Sequence, residues 1–182
     1  SAEVSHQLRT PVAKIKGEAE LTLRRERTVE YYQEALDEIA SPGAKPLTSP
    51  VVILAGNCDV SFEKQMAEYR PLLIETFKDF RGTLVSGGTT SGIAGLVGDL
   101  QETYPQTITT IGHIPALIPP AVTADKRYRE LRLNPGHDFN ALGPLQVWAD
   151  ILTSGIEPAQ VKLIGIGGGM IAAFEYRLAL AM

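Results

Sequence analysis

Leu84-Val85-Ser86-Gly87-Gly88-Thr89-Thr90-Ser91-Gly92-Ile93-Ala94 is the stretch whose reading decides the fold. An apolar run starting at Thr83 stops on two glycines, passes three hydroxyl side chains and reopens with Ile93, Leu96, Val97 and Leu100 at helical spacing. That is a strand, a tight turn and a helix. The same grammar stands on either side. Val51-Val52-Ile53-Leu54-Ala55 is a continuous apolar run ending in Gly56-Asn57, as expected of a strand buried on both faces. Phe62, Met66, Tyr69, Leu73, Phe77 and Phe80 then mark a long helix that Pro71 kinks or divides. Thr107 to Ile111 reads as a third strand, and residues 112 to 142, irregular and rich in proline and charge, as a functional or mobile excursion. Leu145, Trp148, Ile151 and Leu152 suggest a helix, Val161 to Ile166 a strand, and residues 170 to 181 a closing helix.

Strands alternating with helices predict an α/β domain over residues 51–182: a Rossmann-like parallel sheet with helices on both faces. Right-handed crossovers place every strand's C-terminal end on one edge. Three glycine turns, Gly56-Asn57, Gly87 to Gly92 and Gly167-Gly168-Gly169, therefore converge there. Glycine lets backbone approach a ligand, and the first amides of the following helix carry partial positive charge that suits phosphate. The candidate ligand-binding residues are Gly56, Asn57, Gly87, Gly88, Thr89, Thr90, Ser91, Gly92, Gly167, Gly168, Gly169 and Met170. Each turn alone is equally a strand-to-helix connection with a polar cap; together, in the crevice beyond the strand ends, they favour a nucleotide-like phosphate ligand. No Lys-Ser/Thr pair follows the glycines and their spacing is not G-x-G-x-x-G, which argues against P-loop hydrolysis and dinucleotide redox chemistry.

These glycine segments resemble the two signatures of the SLOG superfamily, the first from Leu84 to Ala94 and the second from Leu163 to Glu175, with the prokaryotic relatives of the sensory N-terminal domain of TRPM channels as the nearest branch. The resemblance covers about 130 residues. It implies a Rossmannoid fold with one of two outcomes: a sensor of nucleotide-derived signals, or a LOG-like ("lysine decarboxylase-like") phosphoribohydrolase that cleaves the base from a nucleoside monophosphate with a P-G-G-x-G-T-x-x-E motif. Gly167 to Glu175 has the length and final carboxylate of that motif, but Gly167 replaces its proline and Ile171-Ala172 its Gly-Thr pair. Glu175 would be catalytic only in the hydrolase; otherwise it contacts ligand or is a helix-surface glutamate. Arg127, Arg129 and Arg132 are either phosphate partners or a solvated loop cluster, and His137-Asp138 and Cys58 are similarly ambiguous.

Upstream, Val4, Leu8, Val12, Ile15, Ala19 and Leu23 outline one helix, and Val29, Tyr32, Leu36 and Ile39 a second, shorter one. Val4-Ser5-His6-Gln7-Leu8-Arg9-Thr10-Pro11 resembles the H-box of histidine kinases. This implies a truncated dimerisation and phosphoacceptor hairpin over residues 1–41, with His6 as phosphoacceptor and a homodimer as a possible assembly. Gln7 stands where the family pattern has an acidic residue, and nothing after residue 51 resembles the kinase ATP-binding domain, so the expected role is at most that of a phosphorelay component. Residues 42–50, with Pro42, Pro46 and Pro50, read as a linker.

A net charge of −4 without a sustained basic run makes nucleic acid an unlikely partner. No apolar run approaches the length of a membrane span, and no signal peptide is evident. A single cysteine, Cys58, fits a reducing compartment, so the expected location is cytoplasmic. No motif calls for a metal or a required cofactor. Ser1 opens the chain without a methionine, consistent with an excerpt of a longer protein. The leading expectation is a nucleotide-binding sensor domain in a signalling protein, with the phosphoribohydrolase and the phosphorelay as alternatives.

Overall fold

The computed structural model describes residues 29–58 and 60–182. The first helical segment and His6 lie outside them. The second segment forms helix α1 (Val29–Ile39), and residues from Ile39 to Met182 make one compact unit.

That unit follows the alternating pattern: β1 (Val51–Gly56), α2 (Glu63–Thr76), β2 (Gly82–Ser86), α3 (Gly92–Thr103), β3 (Ile108–Pro115), β4 (Glu130–Asn134), α4 (Leu142–Thr153), β5 (Val161–Ile166) and α5 (Met170–Ala181). The five strands form one sheet, β4-β3-β2-β1-β5, and every pairing is parallel. The chain is an α/β protein of Rossmann-like architecture. Val51 lies opposite Thr83 on one side and Val161 on the other, so β1 is an interior strand, buried from Val51 to Ala55. Side chains alternate across the pleat. Val52, Leu54 and Leu84 pack with Met66 and Leu73 of α2 and Ile93, Val97 and Leu100 of α3. Val51, Ile53, Val85 and Ile111 pack on the opposite face with Val147, Trp148 and Ile151 of α4, where Tyr176 and Leu178 of α5 join them.

Three local expectations are corrected. Residues 112–142 are not all irregular: β3 runs on to Pro115, and β4 adds a fourth parallel strand. The strand escapes notice because it is a five-residue edge strand alternating Leu131 and Leu133 with Glu130 and Arg132. Pro71 does not divide α2, which continues through it; the carbonyl of Ala67 that it leaves without an amide lies on the exposed side of the helix, where water can serve. Phe77 and Phe80 lie just beyond the helix and meet edge to face, with ring centroids 5.3 Å apart.

The stretch read as a linker lies along the domain. Leu47 is buried and its amide donates to Ser154 Oγ at 2.9 Å; Thr48 exchanges hydrogen bonds with the Thr83 hydroxyl at 3.2 and 2.8 Å. Among the described residues no helix is long and apolar enough to cross a membrane.

Candidate functional site

The strand order reverses between β1 and β5: from β1 the chain steps outward through β2, β3 and β4, then returns to pair β5 on the other side. Such a switch point opens a crevice beyond the strand ends. A cavity of about 640 Å³ occupies this edge. Its wall combines the ends of β1 (Gly56, Asn57, Cys58), β2 (Ser86, Gly87, Thr89), β3 (His113) and β4 (Asn134) with the first residues of α4 (Gly143, Pro144) and α5 (Met170, Ile171). Among the described residues Glu175 is the only carboxylate in that wall, and no lysine or arginine lines it.

The two glycine-led helix starts on this edge are not equivalent. At α3 the amides are already used: Gly92 N–H donates to Glu63 Oε1 at 2.7 Å, Ile93 N–H to the carbonyl of Asn57 at 3.0 Å, and Thr90 N–H to that of Thr123 at 3.0 Å. A carboxylate thus sits where the sequence predicts a phosphate. Gly92 makes this possible, because φ is +60° and a Cβ would stand 2.1 Å from the Asn57 carbonyl oxygen. Glu63 therefore acts as the anionic cap of α3. Replacing it with alanine is expected to lower stability by about 1 kcal/mol in denaturant titration, with the slope unchanged.

At α5 the situation is the reverse. Gly169 precedes the helix with no side-chain cap, and the amides of Met170, Ile171 and Ala172 meet no protein acceptor among the described residues. These are the orphan donors of a helix start, next to the cavity. The preceding turn is pinned from behind, since Tyr176 Oη donates to the Gly167 carbonyl at 2.6 Å and approaches that of Ala55 at 3.2 Å. Gly168 adopts φ +110°, and a Cβ there would lie 2.4 Å from the Cβ of Ala172. Glu175 follows in the second turn and reaches the cavity, where burial pushes its carboxyl up to about 7. At neutral pH it is poised between acid and base. Thr89, itself buried, places its hydroxyl beside the thiol of Cys58.

The far end of the cavity was not legible in the sequence. His113 of β3 is buried, and its Nδ1 lies 3.1 Å from Asn134 Oδ1. Its Nε2 faces Asp150 Oδ2 at 3.4 Å. Burial drives the imidazole down to about 4 despite the pull of Asp150, so it is neutral at physiological pH. Asp150 is saturated by others: it accepts from the Ser41 amide (2.6 Å) and hydroxyl (2.8 Å) and from Arg132 Nη1 (2.7 Å). Only His113 and Asn134 of this group reach the cavity wall. The residues come from four separated segments, and no local spacing joins them.

Of the predicted ligand-binding residues, Gly56, Asn57, Gly87, Thr89, Ser91, Gly169, Met170 and Glu175 line the cavity. Gly88, Thr90, Gly92, Gly167 and Gly168 shape the turns beside it without forming its wall. The three arginines are engaged elsewhere: Arg127 with Asp125 and Asp99, Arg129 with the Pro105 carbonyl, and Arg132 with Glu130, Asp150 and the Lys45 carbonyl. His137 is exposed, and Asp138 accepts from the Phe139 amide. No group of three or more His, Cys, Asp or Glu among the described residues could hold a metal.

No family model and no curated protein matches the chain. Among solved structures, the molybdenum cofactor carrier protein of Chlamydomonas reinhardtii is similar in fold, with 18% identity over 73% of this chain and 71% of that one at a TM-score of 0.50.

Proposed function

We propose that residues 51–182 form a SLOG-type domain that binds a nucleotide or nucleotide-derived ligand and serves as a sensor in a signalling protein. The ligand's anionic group rests on the first turn of α5 and its body fills the cavity. The observation that carries this reading is the contrast between the two helix starts: α3 is closed by Glu63, whereas α5 presents its amides uncapped beside a cavity that no cation among the described residues lines. A fold shared with a molybdenum cofactor carrier protein makes that cofactor a further ligand to try. The test is thermal stabilisation by a panel of nucleotides, cyclic nucleotides, ADP-ribose-type compounds and that cofactor. Ligand at about a hundred times its Kd adds about 2.7 kcal/mol. A flat panel at millimolar ligand overturns the proposal.

Glu175 favours a second reading as a phosphoribohydrolase. A carboxyl titrating at about 7 can protonate a departing base or, ionised, stabilise an oxocarbenium-like centre. Incubation with AMP would then release adenine, and Glu175→Gln would abolish the release. Ile171-Ala172 in place of the hydrolase Gly-Thr pair supports binding over turnover.

A further inference from the structure

We propose that the end of the cavity formed by β3, β4 and the start of α4 is a recognition subsite for an uncharged, planar heterocycle, read by the side-chain amide of Asn134. This rests on the binding function proposed above and says which part of the ligand lies where. In the sheet order, β3 and β4 stand three and four positions from β5, so at about 4.8 Å per strand this end is well separated from the anion site on α5. Its chemistry is also different.

Phe139 and Val147 give the wall an apolar character, and among the described residues no charged side chain lines this end. The polar groups are those of His113 and the asparagines. His113 is neutral, so a single ring proton is available, and Nδ1 is the nitrogen that faces Asn134 Oδ1 at 3.1 Å. With the proton there, the ring donates to that oxygen and holds the amide plane. Nε2 makes no hydrogen bond: it stands 3.4 Å from Asp150 Oδ2, an oxygen that already accepts from Ser41 Oγ and Arg132 Nη1. Asn134 is itself 8% exposed, and its Nδ2 has no acceptor among the described residues. That donor opens onto the cavity, where a ligand acceptor can take the place of water. A ring nitrogen or exocyclic carbonyl of a nucleobase supplies that acceptor, and the apolar wall covers the faces of the ring. A free phosphate would find an amide donor here but no cation among the described residues, and the apolar wall would strip its water. Asn134 is thus the specificity-determining residue, and His113 positions it.

The experiment measures calorimetric affinity of the whole chain for AMP, ADP-ribose and the base-free control ribose 5-phosphate. Asn134→Ala removes the amide. Gly143→Ala displaces it, because a Cβ at Gly143 would stand 2.9 Å from Asn134 Nδ2; this glycine lies within α4 without positive φ, so alanine suits its backbone. The expected result is that at least one nucleotide binds the parent about tenfold more tightly than ribose 5-phosphate. Both variants should bring that ratio to within about twofold while ribose 5-phosphate affinity holds. A melting curve at parental temperature for Gly143→Ala separates lost recognition from lost folding. A nucleotide preference that survives in folded variants, or a parent with no preference for the base, overturns the subsite and leaves anion binding intact. A parent that binds none of the three, while another ligand class stabilises it, overturns the subsite as well; failure of every ligand overturns the binding function itself.

Discussion

An Asp150→Ala variant is expected to melt on the order of 10 °C below the parent, the largest stability effect of any single substitution considered. Asp150 and Arg132 are 3% and 5% exposed, and they meet at 2.7 Å. The Ser41 amide and hydroxyl also end on the same carboxylate. Removing it leaves a guanidinium without its buried partner and two donors without an acceptor. Breaking a buried pair from one side typically costs about 3–5 kcal/mol, more than a cavity of the same size. Replacing both members with apolar residues, Arg132→Met with Asp150→Leu, should recover much of the loss, because the carboxylate that then loses its cation, Glu130, is part-exposed and water can solvate it. Differential scanning calorimetry of the single and double variants checks this; additive losses would show that the pair is not coupled. The same carboxylate ties Ser41, ahead of the proline-rich stretch, to α4, so the single variant should also make residues 41–47 more open to hydrogen exchange.

The second large effect is on ligand affinity. Glu175 holds its proton up to about pH 7, whereas an unfolded glutamate ionises near 4.3. An anionic group on the first turn of α5 would meet a neutral carboxyl at pH 6 and a carboxylate at pH 8. Affinity is therefore expected to fall by about tenfold or more across that interval, and Glu175→Gln should level it. A cyclic nucleotide is the appropriate probe, because its phosphodiester keeps one charge throughout. Stability follows the same proton. Below about pH 4.3 both states are protonated; as pH rises towards 7 the unfolded chain ionises and the native carboxyl does not, so stability declines, and above 7 the loss is complete. Glu175→Gln lacks this slope and should be the more stable protein at pH 8 relative to its standing at pH 4. Parallel slopes in parent and variant would sink the assignment.

Much of the edge that carries the site was legible locally. The strand ending at Gly56, the strand paired with it, Val161–Ile166, and the helix opening after Gly169 follow from apolar runs and the glycines that punctuate them. Such runs describe a strand and its turn without knowledge of the partner strands; β1 is buried as its run predicts, whereas β5, at the sheet edge, is only part-buried. β4 was not legible, because an edge strand with Glu130 and Arg132 lacks that apolar signature. The glycine turns likewise identified the sheet edge but could not rank its two helix starts. Glu63 lies 29 positions before Gly92, and only the packing of α2 beside α3 brings its carboxylate to the amide.

By itself, then, the sequence determined the alternation of strands and helices, the convergence of the glycine turns, and the presence of Glu175 one turn into the last helix. These depend on periodicity and backbone freedom within a dozen residues. Tertiary structure alone decided which helix start stays open, where the arginines spend their charge, and that Asp150 gathers Ser41 and Arg132 beside the His113–Asn134 pair. Those outcomes depend on burial and on charges meeting across long sequence separations, where the cost of desolvation, rather than local propensity, selects the partners.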